Sequence, residues 1–239
     1  MLINIDIKGL EVVCAAYLSK DEVLCKELTD GVDIHQDNQT KFNLPSRLIA
    51  KIFKFRLLYG GTIFHRDSDF IPVSKDKKYW DGVIEKYYNK YKGIGLWHKS
   101  LIKEVQETGK IQMLTGRNYK FEYTHNYRGE LELPLTTIKN YPVQGFGADV
   151  MKIIRIDMYN RMCKQMEVEW QHVGTVHDSL VYDVNGGEKI VEQVANIFYN
   201  VCNDFPTNFE KVFGTPFFLK VGGEVEFGNN LKEMNKYGS

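Results

Sequence analysis

The 239-residue chain has no excess of charge of either sign: 31 Lys and Arg balance 31 Asp and Glu. Domains that grip nucleic acid are commonly basic, so neutrality taken alone argues against such a partner. Proline is scarce, with 6 residues, and no low-complexity tract occurs. With 43% apolar and 26% charged residues, the composition is that of a folded globular chain and excludes long disordered stretches. No apolar run approaches the roughly 20 residues needed to cross a bilayer. The opening residues, MLINIDIKGLEVV, lack the basic n-region of a secretory signal, so neither secretion nor membrane insertion is expected. The 4 cysteines, Cys14, Cys25, Cys163 and Cys202, show no CxxC spacing. They mostly interrupt apolar helical patterns, which reads as buried free thiols in a reducing compartment and disfavours a zinc site. Neither an internal repeat nor a linker-like boundary is present. The length allows one large domain or two modest ones, with a core of real size.

What is present is a strand-like start, several helices and strands again at the end. Residues 2–7 (LINIDI) alternate with the period of a half-buried strand, and Gly9 ends it. Helical spacing follows over 10–28, with a break expected at Asp21-Glu22. Asn43-Leu44-Pro45-Ser46 opens a helix over 46–59 that Gly60-Gly61 closes with a left-handed cap. The segment 62–130 is polar and aromatic-rich, with helices around 76–92 and 95–108. A strand pair is expected from 118–124 and 130–133 around a turn at Arg128-Gly129. A helix over 141–166, two strands within 173–184 separated by His177-Asp178-Ser179, a helix over about 187–203 and a last strand over about 216–227 complete the order. The pattern predicts an α+β body carrying a helical insertion.

Three constellations carry chemistry. Asp6 at a strand end and Asp178 at a hairpin tip could share divalent cations if the two strands lie side by side, because Mg²⁺ takes carboxylate oxygens and leaves positions for substrate phosphates. The ordinary reading is a turn Asp and a helix-capping Asp. Arg47, Lys51, Phe55 and Tyr59 follow one another at intervals of four on the predicted helix. Each step turns the helix by about 400° and rises about 6 Å, so the four side chains form one stripe. Two cations followed by two rings fit a triphosphate lying along the helix with a base or sugar against Phe55; a solvated basic face beside a core face fits the spacing equally well. Asn140 and Gln144, in Asn140-Tyr141-Pro142-Val143-Gln144-Gly145, carry amides that donate and accept, which suits the minor-groove edge of a base pair, or simply a helix start.

In this order the three constellations resemble the motifs of family A DNA polymerases, the DNA polymerase I group with its phage branch. Asp6-Ile7-Lys8-Gly9-Leu10-Glu11 is similar to the strand-to-helix motif, Arg47-xxx-Lys51-xxx-Phe55-xxx-Tyr59-Gly60 to the nucleotide-binding helix, and His177-Asp178 to the catalytic hairpin. Asp33-Ile34-His35 and Thr115-Gly116-Arg117 also resemble family segments, and the likeness spans residues 2 to about 233. It implies a right-hand polymerase palm, an antiparallel sheet with helices, at 1–30 and 140–239, and helical fingers at 31–139. It further implies DNA-directed synthesis from dNTPs on primer–template DNA. Two Mg²⁺, or Mn²⁺ in their place, would be held by Asp6, Asp178 and the Ile7 carbonyl. Arg47, Lys51 and His35 would hold the triphosphate, with Lys51 also protonating the departing pyrophosphate. Phe55 would stack on the incoming nucleotide, Tyr59 would support the nascent pair, and Glu11 would exclude a 2′-hydroxyl. Asn140, Gln144, His177 and Arg117 would contact the DNA. A cytoplasmic location is implied, that of the host if the compact Gly9-Leu10-Glu11 form marks a phage protein.

The departures from the family pattern are specific. Ser179 stands where a second carboxylate is usual, Gly9 removes an amide and Thr136 replaces an Arg. The sequence starts just before the first motif, so the thumb and exonuclease are expected to be absent from it and to lie on a separate partner chain. The alternative expectation is a catalytically inactive, polymerase-derived DNA-binding subunit, which Ser179 favours and the intact Asp6, Asp178, Arg47 and Lys51 oppose.

Overall fold

A computed structural model describes residues 1–63, 69–74, 76–126 and 128–238; residues 64–68 of the polar, aromatic-rich segment lie outside the described residues. Strand β1 (Leu2–Ile7) leads to helices α1 (Leu10–Ser19), α2 (Glu22–Thr29), α3 (Ile34–Phe42), α4 (Arg47–Leu58), α5 (Lys77–Lys90) and α6 (Lys92–Thr108). Short strands β2 (Lys110–Gln112), β3 (Asn118–Lys120), β4 (Thr124–His125) and β5 (Leu131–Glu132) precede the long helix α7 (Leu135–Gln165). Strands β6 (Trp170–Val176) and β7 (Ser179–Val184), helix α8 (Glu188–Phe213) and strands β8 (Gly223–Asn230) and β9 (Glu233–Lys236) follow. The chain divides into two compact units, residues 1–13 with 146–239, and residues 14–145. These divisions fall at 13/14 and 145/146, whereas the motifs placed boundaries at 30/31 and 139/140.

The first unit is built on an antiparallel sheet of order β6-β7-β1-β8-β9. Alternation in β1 buries Ile3, Ile5 and Ile7 on one face and leaves Asn4 and Asp6 on the other. Leu180 and Tyr182 pair with Ile5 and Ile3 and extend the buried face. Helix α8 covers this core with Val191, Val194, Phe198, Val201, Phe205 and Phe209, a stripe at helical spacing. Phe146, on the later part of α7, meets Phe209 edge to face at 5.8 Å.

The second unit packs its helices around rings. Phe53 of α4 stacks on Trp80 at 6.1 Å and meets Tyr87 edge-on at 5.9 Å. Asp21 caps α2 through Leu24 N–H, while its other oxygen accepts from Gly93 N–H at 2.7 Å and ties α2 to α6. A Cβ on Gly93 would stand 2.6 Å from the Asp21 Cα, so only glycine fits there.

Several boundaries differ from the sequence expectations for physical reasons. The break at Asp21-Glu22 is present, made by Lys20 at φ 51° and the Asp21 cap. Helix α3 was not anticipated, because Ile34–Phe42 is polar over most of its surface and only Ile34, Asn38 and Phe42 are buried. Residues 118–120 do not pair with 130–133; they fold back on β2, and the hairpin near Gly129 joins β4 to β5. Helix α7 begins six residues before Tyr141 and runs through Pro142, whose missing N–H removes the bond to the Ile138 carbonyl. Helix α8 continues past 203 and through Pro206 because Phe205 and Phe209 keep burying the same face. In the last expected strand, 216–222 forms no strand, and pairing starts at Gly223. Of the cysteines, Cys14 and Cys202 are buried, Cys25 is half-buried and Cys163 is exposed, contrary to the expectation that all four are interior; all four are free.

Gly223 sets how closely β8 approaches β1. A Cβ there would stand 2.1 Å from the Asp6 carbonyl oxygen and 2.9 Å from the Phe198 ring, so backbone rather than a mobile side chain has to give way. Gly223→Ala is therefore expected to lower unfolding free energy by about 1–3 kcal/mol, the usual cost of overpacking. Urea denaturation checks this, and an unchanged midpoint contradicts the close approach.

Candidate active site

Strand register brings the two acids of the first unit together. Asp6 pairs with Ser179 across β1 and β7, and Ile7 N–H donates to the Asp178 carbonyl at 2.9 Å. Asp178 thus stands in the two-residue turn between β6 and β7, beside the end of β1. Burial first, and the charge of Asp6 second, raise the Asp178 carboxyl above its ordinary range. The Ser179 hydroxyl donates to Asp6 Oδ2 at 3.0 Å, which orients one carboxylate without adding charge. His177 holds φ 54°, a conformation that costs a non-glycine residue free energy and is kept only where the surroundings require it.

Glu224, which the sequence reading did not single out, pairs with Asp6 from the β8 side. Lys236 and Lys8 grip its carboxylate and hold it down at about 2, so it is committed to ion pairs. No group of three or more His, Cys, Asp or Glu suited to a metal occurs among the described residues. Two neighbouring carboxylates that repel one another nevertheless fit a hard divalent cation, since Mg²⁺ is commonly held by one or two carboxylates plus substrate phosphates. Glu11 sits in the first turn of α1 just beyond this pair, because Gly9 at φ +60° turns the chain and its carbonyl accepts from Val12 and Val13.

In the same unit a cavity of about 200 Å³ is lined by His177, Thr175, Met151, Lys152 and Arg155. Lys152 and Arg155 were not identified from the sequence. Their signal is the three-residue interval that puts Lys152 and Arg155 on the α7 face shared with Asp149.

The second unit carries a basic stripe. Ser46 caps α4 through Ile49 N–H, and the stripe forms as the spacing predicts: Arg47 and Lys51 are exposed, while Phe55 and Tyr59 are half-buried with rings stacked at 6.2 Å. Asp33 does two jobs. Its Oδ1 caps α3 by accepting from His35 and Gln36, and its Oδ2 accepts from Arg47 Nε at 2.9 Å. The Arg47 bond, followed by that from Gln36 N–H, lowers the Asp33 carboxyl below its ordinary value. Arg47 meets Asp33 through Nε, and a guanidinium has two further nitrogens that can fork an anion.

His35 lies 6.0 Å from the Phe55 ring, and its Nδ1 is buried without a hydrogen-bond partner. Burial first, then the charges of Lys54 and Arg47, lower it to about 4. Lys54, only 1% exposed, was missed by the sequence reading because its position lies off the stripe. Asn140 and Gln144 stand one turn apart on α7, with Asn140 Oδ1 buried and unpartnered and Gln144 exposed. A Cβ on Gly145 would meet the Tyr119 hydroxyl at 1.6 Å and the Arg117 stem at 3.4 Å, so this glycine lets the Arg117 segment approach the Gln144 turn.

An antiparallel sheet with paired carboxylates at a hairpin tip, and a helical unit with a phosphate-suited stripe, define a polymerase fold. The POL domain of Pol1 from M. smegmatis, solved in complex with DNA primer-template and dNTP, has a similar fold, with a TM-score of 0.72 and 19% identity over 93% of this chain and 39% of that one. The family model for DNA polymerase family A matches residues 1–213, and the chain belongs to that family. It is 30% identical over 193 residues to the thermostable DNA polymerase I of Thermus filiformis and 26% identical over 202 residues to DNA polymerase I of Pseudomonas aeruginosa. It covers 22% of the length of each.

The folded-state value of His35 lies below the ordinary 6.5. Stability supported by its neutral form is therefore complete above pH 6.5 and is lost as pH falls toward 4. An anion on the stripe supplies opposite charge and pushes the value back up. NMR titration is expected to place His35 near 4 in the free protein and at least about one pH unit higher with a nucleoside triphosphate bound. An unmoved titration contradicts an anion site beside His35.

Proposed function

We propose that this chain carries out template-directed DNA synthesis: a primer 3′-oxygen bonds to the α-phosphorus of a dNTP, the bond to the β-phosphate bridge breaks, and pyrophosphate leaves. The strand register that seats Asp6 beside Asp178 carries this reading, and membership of DNA polymerase family A supports it. The palm comprises residues 1–30 and 140–239, and the fingers 31–139. Because the chain spans 22% of its curated relatives, the remaining polymerase sequence belongs to the same reading, on this chain or on a second one that supplies thumb and exonuclease.

Asp6, Asp178 and the Ile7 carbonyl would hold two divalent cations, and Mg²⁺, or Mn²⁺ in its place, would supply Lewis-acid activation of the attacking hydroxyl and stabilisation of charge on the leaving oxygen. Arg47 forks the triphosphate oxygens, Lys51 neutralises them and delivers a proton to the departing pyrophosphate, and His35 adds a third contact. Phe55 stacks on the incoming base and sugar, and Tyr59 supports the nascent pair. Glu11 fills the space a 2′-hydroxyl would need. Asn140, Gln144, His177 and Arg117 contact primer–template DNA, the partner with which the solved Pol1 relative was captured. The compact Gly9-Leu10-Glu11 turn supports a phage-type branch.

Ser179, in place of a carboxylate, favours a second reading, a DNA-binding subunit without activity. Primer extension with Mg²⁺, run with the chain alone and with the upstream part of a family A polymerase added, separates the two. Incorporation that Asp178→Asn abolishes is expected; DNA binding without incorporation under both conditions supports the second reading. Lys51→Ala is expected to lose about 2–4 kcal/mol of transition-state stabilisation, roughly 30- to 1,000-fold in kcat/KM; an unchanged kcat/KM contradicts the role. Glu11→Ala is expected to admit ribonucleotides in single-turnover assays, and equal use of both sugars by the parent chain would remove the gate.

A further inference from the structure

The second unit holds a cavity of about 600 Å³, within the size range of small-molecule sites, between α5, α6 and the start of α7. Lys92, Lys99 and Lys139 line it, and no carboxylate does. None of the three lysines makes an ion pair among the described residues. Lys90, on the neighbouring helix α5, by contrast pairs with Glu27 and Asp37. Lys139 is half-buried, and its stem lies across Gly60, where a Cβ would stand 2.0 Å from Lys139 Cδ. A cation pinned in that position has lost water without gaining a counter-ion, and burial lowers its proton affinity accordingly.

His98 in the cavity wall shows the same deficit. It is 3% exposed; Nε2 bonds the Leu58 carbonyl at 3.0 Å, which fixes that nitrogen as the donor, and Nδ1 is buried without a partner. Burial, then the charge of Lys139, lowers His98 to about 4. The remaining wall is apolar and partly aromatic, with Tyr88, Leu96 and Ile102. An anion would compensate three ammonium groups, and a flat organic group would cover the Tyr88 ring.

We infer that this cavity is a binding site for a phosphomonoester of nucleoside monophosphate size, its phosphate between Lys92, Lys99 and Lys139 and its ring system against Tyr88. A phosphomonoester carries nearly two negative charges at neutral pH, whereas each DNA backbone diester carries one, so the lysine triad matches the monoester. The site is separate from the Arg47–Tyr59 stripe and does not depend on the chain being a polymerase.

The test titrates the whole chain, without divalent cations, with deoxyadenosine monophosphate, inorganic phosphate, or a single-stranded oligonucleotide lacking a terminal phosphate. Calorimetry reads affinity and NMR reads His98. The monophosphate is expected to saturate and to raise the pH at which His98 titrates. Inorganic phosphate should do the same at higher concentration, and the oligonucleotide should leave His98 unmoved. Lys139→Gln should weaken the monophosphate about tenfold, the loss of one charge-assisted contact, and Arg47→Ala should not change it. Should Lys139→Gln fail to fold, exposed Lys99→Gln is read by the same signal and should weaken binding severalfold. The inference is overturned if the monophosphate does not saturate or leaves His98 unmoved, or if phosphate alone matches its affinity. It is equally overturned if the oligonucleotide moves His98 as strongly, or if Arg47→Ala rather than the lysine variant abolishes binding.

Discussion

The hydrogen-bonded register of β1 between β7 and β8 is the constraint on which the rest depends. A one-residue slip would turn Ile3, Ile5 and Ile7 out of the core and carry Asp6 to the buried face. The same isoleucines that stabilise the fold therefore position the carboxylate. The Ile7 N–H bond to the Asp178 carbonyl and the Ser179 bond to Asp6 close the arrangement from the hairpin side. Glu224, paired with Asp6 in the ladder, is held by Lys8 and Lys236.

The helical unit solves a different electrostatic problem. Arg47, Lys51 and Lys54 crowd one helix, and Asp33 steadies Arg47. His35, pushed down to about 4, is kept neutral beside them. Such a helix is poised for an anion because binding relieves repulsion already present. This local concentration of charge explains why zero net charge does not exclude a nucleic-acid partner. What neutrality does imply is that any long-range attraction to DNA is small.

The parts legible in the sequence are those written in local periodicity. The β1 alternation, the four-residue stripe on α4 with its Ser46 start and Gly60 stop, and the His177-Asp178 tip all follow from spacing and turn chemistry. What was not legible depended on tertiary packing. Pro142 and Pro206 sit inside long helices because buried residues on both sides, such as Phe205 and Phe209, outweigh one missing N–H. Helix α3 is too polar to announce itself, and its Asp33 cap gains meaning only once it meets Arg47. Glu224, Lys54 and Arg155 carry no motif; pairing across the sheet or burial against a neighbouring residue reveals them. Chain spacing could not separate shared metal binding at Asp6 and Asp178 from two unrelated caps, whereas the ladder makes them neighbours.

The central claim is that Asp6 and Asp178 together hold a divalent cation. Titration of Mn²⁺ into the chain, followed by electron paramagnetic resonance in the presence of a nucleoside triphosphate, tests it most directly. The account predicts saturable Mn²⁺ binding that is lost in the folded Asp6→Asn/Asp178→Asn double variant. Equal Mn²⁺ affinity in that variant and the parent would contradict it.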